Sequence, residues 1–69
     1  MMLEEIAARY GMGADYYDNI GGRIYHLVDA RYDSGTDTTI VPVSEGGQLI
    51  GTTRMEGNWC GEHKQSTDN

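Results

Sequence analysis

Two aspartates and two tyrosines lie together in the stretch GADYYDNIGG, which covers residues 13–22. Asp15 and Asp18 flank Tyr16 and Tyr17, and glycines bound the four residues on both sides. Tyrosine offers a large contact area at a low cost in conformational entropy and keeps a polar tip, so it is favoured at protein interfaces. Neighbouring carboxylates can pair with Arg or Lys side chains of a partner. The stretch therefore favours a docking surface for a basic protein.

Further acidic and aromatic residues follow this stretch. Tyr25 is predicted on the polar side of a strand, and Asp29, Asp33 and Asp37 follow at spacings of four. General acid–base catalysis would require two carboxylates in distinct environments within a concave pocket. A domain this small has little volume for such a pocket, so we predict no enzyme and no catalytic residue. The predicted partner-binding residues are Asp15, Tyr16, Tyr17, Asp18, Tyr25, Asp29, Asp33 and Asp37.

Cys60 and His63 form a C-x-x-H pair, the other spacing that could support site chemistry. A structural zinc site needs four ligands at paired spacings, and His26 is the only other histidine. We therefore predict no metal site and no cofactor, with a free thiol and a solvated histidine in the C-x-x-H pair. His26 is expected to be a hydrogen-bonded residue of the core or of a sheet edge. The glycines of GMG and IGG are predicted to lie in turns and not in a phosphate-binding loop, because no Gly-Lys-Ser/Thr follows them.

The charge balance narrows the classes of partner. Eleven acidic residues against five basic ones give a formal net charge of −6 at pH 7. Nucleic-acid binding depends on Lys and Arg neutralising phosphates, and membrane surfaces are also anionic, so direct binding to either is disfavoured. The acidity serves solubility or complements a basic partner, and charge alone leaves both open. The acidic start MMLEEIAARYGMG lacks a secretory or transmembrane signal, and one cysteine suits a reducing compartment, so we expect a cytoplasmic protein.

A short N-terminal helix is predicted near residues 3–10. Apolar residues recur at helical spacing in LEEIAARY, acidic residues occupy the first turn, and Arg9 lies near the end, which suits the helix dipole. Gly11 supplies a left-handed stop. This pattern places Tyr10 on the buried face.

Strand patterns follow the glycines. RIYHLVDARYD, residues 23–33, alternates as one strand with Tyr32 on its apolar face, and TTIVPV and QLIGTTRME supply two more, the last interrupted by Gly51. Pro42 has no N–H for a ladder, which indicates an edge strand or a bulge. Short polar turns join the three as an antiparallel meander. The sequence thus predicts a single α+β domain over residues 1–56, with one N-terminal helix packed on a three-stranded antiparallel β-meander, and a flexible tail over residues 57–69 in which only Trp59 is expected to pack.

The stretch LEEIAARYGMGADYYDNI resembles the first helix and turn of bacterial helix-turn-helix regulators. The resemblance implies a small DNA-binding regulator that acts as a dimer. The position of the recognition helix, however, carries the acidic stretch DYYDN and no base to meet a phosphate. A regulator with a degenerate helix-turn-helix is therefore the alternative function. A structural phage component, whose sheet edge near Pro42 pairs with a neighbour, is a third.

In its size, its acidity, its lack of catalytic motifs and its single domain, the chain resembles the anti-CRISPR proteins of phages and mobile elements. The resemblance implies a non-enzymatic inhibitor that occupies the basic nucleic-acid-binding surface of a CRISPR effector in the host cytoplasm. Carboxylates would stand where phosphates normally lie, because a surface that attracts nucleic acid also attracts a negative protein. The sequence leaves the identity of the target and the oligomeric state open.

Overall fold

One α-helix and five β-strands form the part of the chain that the computed structural model describes, residues 2–60. The helix α1 spans Leu3–Tyr10, and the strands are β1 Tyr16–Asp18, β2 Arg23–Tyr25, β3 Arg31–Asp33, β4 Thr38–Glu45 and β5 Gln48–Glu56. A single 3₁₀ turn, Leu27–Asp29, lies between β2 and β3. The predicted helix and the α+β class are confirmed. With its eight residues, α1 is far too short to cross a membrane, and no other helical segment within residues 2–60 is long and apolar enough to do so.

The central strand of the antiparallel sheet is β4. One side of β4 pairs with β5. On its other side, the first half of β4 pairs with β3 and the second half pairs with β2, and β1 in turn pairs with β2. Gly46 and Gly47, with φ of 61° and 85°, make the two-residue turn between β4 and β5, since a type I′ turn requires positive φ at both positions. The predicted three-stranded meander therefore understates a sheet of five strands.

The predicted first strand, residues 23–33, is divided into β2 and β3 by the 3₁₀ turn. His26 N still donates to Pro42 O at 2.9 Å, but Asp29 N then bonds back to His26 O at 3.1 Å. This turn rotates Leu27 into the core, where it is buried. The alternating pattern predicts one straight strand, because alternation carries no signal for the turn that brings Leu27 inward.

The two faces of β2 are also exchanged relative to the prediction. Tyr25 was expected opposite the apolar face, yet it is the register partner of buried Val43 and packs against the core. Ile24, its neighbour, pairs with Ser44 on the other face. The alternation within β2 was predicted correctly and its phase was wrong, since the packing of the whole sheet, and not the pattern of one strand, decides which face the helix covers.

Pro42 lies in the central strand and not at the edge of the sheet. Its carbonyl accepts the bond from His26 N, and in an antiparallel strand the N–H and C=O of one residue point to the same side. Its missing N–H therefore faces the gap between β2 and β3, where no strand needs it. A bulge does lie beside it, because the register changes between Val43 and Ser44 and leaves Ile50 without a partner.

The hydrophobic core lies between α1 and one face of the sheet. Ala7 of the helix packs with Leu27, Val41 and Met55, and partly buried side chains surround this cluster. We call the face covered by α1 the inner face and the opposite one the outer face. The prediction of a buried Tyr10 is wrong: its side chain is 70% exposed, because it ends the helix beyond the buried positions Ile6 and Ala7.

Residues 57–60, the start of the predicted tail, contact the sheet. Buried Thr39 donates from Oγ1 to Gly57 O at 2.7 Å and accepts from Trp59 N at 2.9 Å. Trp59 is partly buried against the core, and Cys60 Sγ donates to Ala30 O at 3.2 Å. The remaining tail, residues 61–69, lies outside the described residues, and so does His63 of the C-x-x-H pair.

Candidate functional site

The two adjacent tyrosines of β1 point to opposite faces of the sheet. Tyr16 pairs with Tyr25, their rings stack with centroids 6.1 Å apart, and both pack against the core on the inner face. Tyr17 pairs with Ile24 and is 57% exposed on the outer face. Of the two adjacent tyrosines in the predicted patch, Tyr16 therefore supports the core and Tyr17 is accessible to a partner.

Tyr17 begins a row of register partners that crosses four strands on the outer face. It pairs with Ile24, Ile24 with Ser44, and Ser44 with Leu49 of β5. We call Tyr17, Ile24, Ser44 and Leu49 the outer row. Leu49 is 67% exposed, Ile24 and Ser44 are half-buried, and α1 lies on the opposite side of the sheet. An accessible aromatic and an aliphatic side chain in one row form a surface suited to contact with another molecule.

Asp15 ties the start of β1 to the 3₁₀ turn. Its Oδ1 accepts Val28 N at 3.2 Å, and its Oδ2 lies 3.0 Å from His26 Nδ1. This carboxylate therefore supports local structure as well as adding charge. Asp29, next to Val28, ends the 3₁₀ turn between β2 and β3, beside the middle of β4, and its carboxylate makes no hydrogen bond within the described residues.

His26 connects Asp15 to the outer row. Its Nε2 lies 2.8 Å from Ser44 Oγ, so Asp15, His26 and Ser44 form a continuous hydrogen-bonded chain. The prediction that His26 is hydrogen-bonded is confirmed. Ser44 was missed by sequence reasoning, because 18 positions separate it from His26 and only the register of β2 on β4 brings the two together.

Asp18 shapes the turn of the β1–β2 hairpin. Its Oδ1 accepts Ile20 N at 3.1 Å and Gly21 N at 3.2 Å, as aspartates at turns commonly do. A Cβ at Gly21 would lie 2.9 Å from Asp18 Oδ2, which explains the glycine there. The turn leaves Ile20 98% exposed at the hairpin tip.

Asp33 ends β3, and Asp37 lies in the β3–β4 turn, at the other end of β4. Asp33 pairs with Thr38, and Asp18 lies in register, through Arg23, with Glu45. At about 3.3 Å per residue, these seven steps along β4 place Asp33 roughly 23 Å from Asp18. Asp33 accepts Thr36 Oγ1 at 2.9 Å, Arg54 Nη1 at 3.3 Å and Gly35 N at 3.1 Å, and these bonds lower the pKa of Asp33. Asp37 accepts Tyr32 Oη at 2.7 Å, which raises the pKa of Tyr32.

The predicted partner-binding residues thus fall into two groups. Asp15, Tyr16, Tyr17, Asp18, Tyr25 and Asp29 belong to the β1–β2 hairpin and the adjoining 3₁₀ turn, and Asp33 and Asp37 belong to the β3–β4 connection. Within the hairpin group, Tyr16 and Tyr25 face α1 and Tyr17 faces outward. A partner-binding role for these eight residues stays a prediction, and a single contact surface would take in only part of the set.

A cleft of about 410 Å³ opens on the inner face, where α1 does not cover the hairpin. Its walls are α1 on one side, the stacked tyrosines on another and Thr53 of β5 at the base. Asp18 and exposed Ile20 stand at its margin. Within residues 2–60, no group of three His, Cys, Asp or Glu side chains is placed to hold a metal ion.

The segment that would be a recognition helix in a helix-turn-helix protein is the strand β1 here. A comparison with protein-family models found no match, and comparisons with curated protein sequences and with solved structures likewise found none.

Proposed function

We propose that the protein is a small acidic inhibitor that acts by binding a basic protein surface and not by catalysis. The observation that carries this proposal is the outer row, which exposes Tyr17 and Leu49 on a sheet face that α1 leaves uncovered. Accessible tyrosines are frequent anchors of protein interfaces. The carboxylate of Asp15, which reaches the outer row through His26, and that of Asp29 in the adjoining 3₁₀ turn would favour Arg or Lys around the anchor site of the partner.

The charge of the chain supports a basic partner. Two of its arginines are already paired within the chain, Arg23 with Glu45 and Arg54 with Asp33, each at 3.3 Å. The net charge of −6 comes from the excess of acidic over basic residues, and these two arginines already have acidic partners within the chain. Surfaces that bind nucleic acid are basic, and they attract an acidic protein by the same field.

The partner we propose is the nucleic-acid-binding surface of a CRISPR effector in the host cytoplasm, with carboxylates replacing phosphates. The support for this choice is the combination of small size, acidity and an anchor surface without a metal cluster in the described residues. Inhibition of this kind needs one protein molecule per effector and no chemical step.

The test is a competition for target DNA. Purified effector–guide complexes of distinct types are mixed with labelled target DNA and increasing amounts of the protein, and bound DNA is measured by mobility shift. We expect the protein to displace target DNA from at least one type, and to leave random duplex DNA unshifted when the effector is omitted. Full DNA binding by every type, with the folded protein in excess, would contradict the proposal.

Matched variants connect the inhibition to the outer row. Tyr17→Ala removes the accessible ring, while Tyr10→Ala removes a ring that is more exposed but lies on α1. We expect Tyr17→Ala to weaken inhibition and Tyr10→Ala to leave it unchanged. Equal inhibition by both variants would place the contact elsewhere.

A further inference from the structure

The hydrogen-bonded chain of Asp15, His26 and Ser44 has the atom order of a serine nucleophile with its base. Asp15 Oδ2 lies 3.0 Å from His26 Nδ1, and His26 Nε2 lies 2.8 Å from Ser44 Oγ. In serine hydrolases a carboxylate orients the imidazole through Nδ1, and Nε2 accepts the serine proton. Both distances are within the range expected for nucleophile, base and orienting group.

We propose that Ser44 is a site of acylation, activated by His26 and Asp15 toward small activated acyl esters. This inference is independent of the proposed inhibitory function, because it requires only the three side chains and no binding partner. With the Nδ1 proton directed to the Asp15 carboxylate, Nε2 keeps its lone pair for the Ser44 hydroxyl proton. Asp15 acts as a positioning residue, and its second oxygen is held by Val28 N at 3.2 Å.

The site is accessible to a small reagent. The side chains of His26 and Asp15 are 24% and 37% exposed, so solvent reaches the chain of hydrogen bonds without an opening motion. Ser44 lies beside the β-bulge of the β4–β5 pair, and bulges commonly redirect side chains next to reactive sites. Ile24 and Leu49, its register partners on either side, provide apolar contact for a short acyl chain.

The step conserves atoms and charge. With an aryl ester as the reagent, Ser44 Oγ attacks its carbonyl carbon while the Ser44 hydroxyl proton passes to His26 Nε2. The bond between that carbon and the leaving oxygen then breaks, and the leaving oxygen takes the proton from Nε2 as a phenol. The products are an acyl ester on Ser44 and one phenol. Each such reaction leaves one acyl group on Ser44.

The test uses p-nitrophenyl acetate and the full chain. Acetylated residues are located and their rates measured by peptide mass spectrometry, with Ser34 of the exposed β3–β4 turn as the internal reference serine. A positioned general base contributes about 10²–10⁴-fold, so we expect Ser44 to be acetylated at least about 10²-fold faster than Ser34. In urea, where the chain is unfolded, the two rates should become equal. Equal rates in the folded protein would overturn the proposal.

Two variants separate activation from simple accessibility. His26→Gln removes the base, and we expect the Ser44 rate to fall to that of Ser34. Asp15→Asn keeps a hydrogen bond to the imidazole but favours the wrong tautomer, and it should lower the Ser44 rate with little change in that of Ser34. Circular dichroism checks that each variant is folded. The comparison of folded and urea-treated wild type tests the proposal even if a variant does not fold. An unchanged Ser44 rate in folded His26→Gln would contradict the proposal.

Discussion

At the residue scale, the aspartates that look like a docking patch in the sequence also hold the backbone in place. Asp15 accepts Val28 N and contacts His26, and Asp18 accepts two amides of its own turn. Reversing either charge would therefore disturb the hairpin as well as any partner contact. Asp29 is better suited to testing the effect of charge alone, because its carboxylate makes no hydrogen bond within residues 2–60.

The two tyrosines of β1 should separate binding from stability. Tyr17→Ala is expected to leave the free energy of unfolding nearly unchanged and to weaken partner binding by about 2 kcal/mol, as for an interface hot spot. Tyr16→Ala removes a ring stacked on Tyr25 and packed on the core, so it should lower the free energy of unfolding. Urea unfolding and titration calorimetry measure the two effects. A large loss of stability in Tyr17→Ala would show that its ring supports the sheet.

Asp33 should make stability depend on acidic pH. Its hydrogen bonds from Thr36 and Arg54 lower the pKa of the folded carboxyl below its unfolded value. The contribution to the free energy of unfolding is therefore present above the unfolded pKa and is lost as pH falls through the folded pKa. We expect Asp33→Asn to be less stable than wild type at neutral pH and the difference to shrink under acid. Denaturant unfolding at several pH values checks this.

The matched control at neutral pH is Asp29→Asn, which removes one carboxylate charge as Asp33→Asn does, but breaks no hydrogen bond of that carboxylate within the described residues. Its free energy of unfolding at neutral pH should stay close to that of wild type. If both variants lose the same stability there, the Thr36 and Arg54 contacts do not account for the loss in Asp33→Asn.

At the element scale, local patterns predicted what local forces decide. Helical spacing and a glycine stop defined α1 correctly, because those signals act within a few residues. The partition of residues 23–33 into β2, a turn and β3 depends on Leu27 reaching a core built by α1, β4 and β5. The partnership of His26 with Asp15 and Ser44 depends on strand register. The alternation of apolar and polar residues and the spacing of side chains along the sequence contain no information on either the turn or this contact.

The short segment after β5 should contribute measurably to stability. Trp59 packs on the core and donates from Nε1 to Glu56 O at 3.0 Å, and its N–H bonds Thr39. Ending the chain after Glu56 should cost about 2 kcal/mol, less than the roughly 3–5 kcal/mol of a fully buried Trp→Ala change. Ending it after Cys60 should cost little, because GEHKQSTDN contains no apolar side chain to bury. Thermal unfolding of both truncations distinguishes them, and equal losses would mean that residues 61–69 also stabilise the domain.

At the scale of the whole molecule, charge and an anchor surface have separate roles in binding. The net charge of −6 acts over a distance of about 8 Å at physiological salt and should raise the association rate with a basic partner. Three of the four residues of the outer row are apolar or aromatic, so this row should govern how slowly the complex dissociates. Raising salt is therefore expected to slow association while the fold stays intact, and surface plasmon resonance resolves the two rates.

The position of a charge, and not only its sign, should matter for that partner. Asp29→Lys and Glu56→Lys change the net charge equally, but Asp29 follows the residue held by Asp15, whereas Glu56 pairs with Thr38 at the far end of β4. An exposed pair contributes about 0.2–1 kcal/mol, and reversal adds repulsion, so Asp29→Lys should cost up to about twice that amount. Glu56→Lys should slow association slightly and leave dissociation unchanged. If both variants lose the same affinity, the acidity acts as a diffuse field, and the 3₁₀ turn that carries Asp29 has no special contact with the partner.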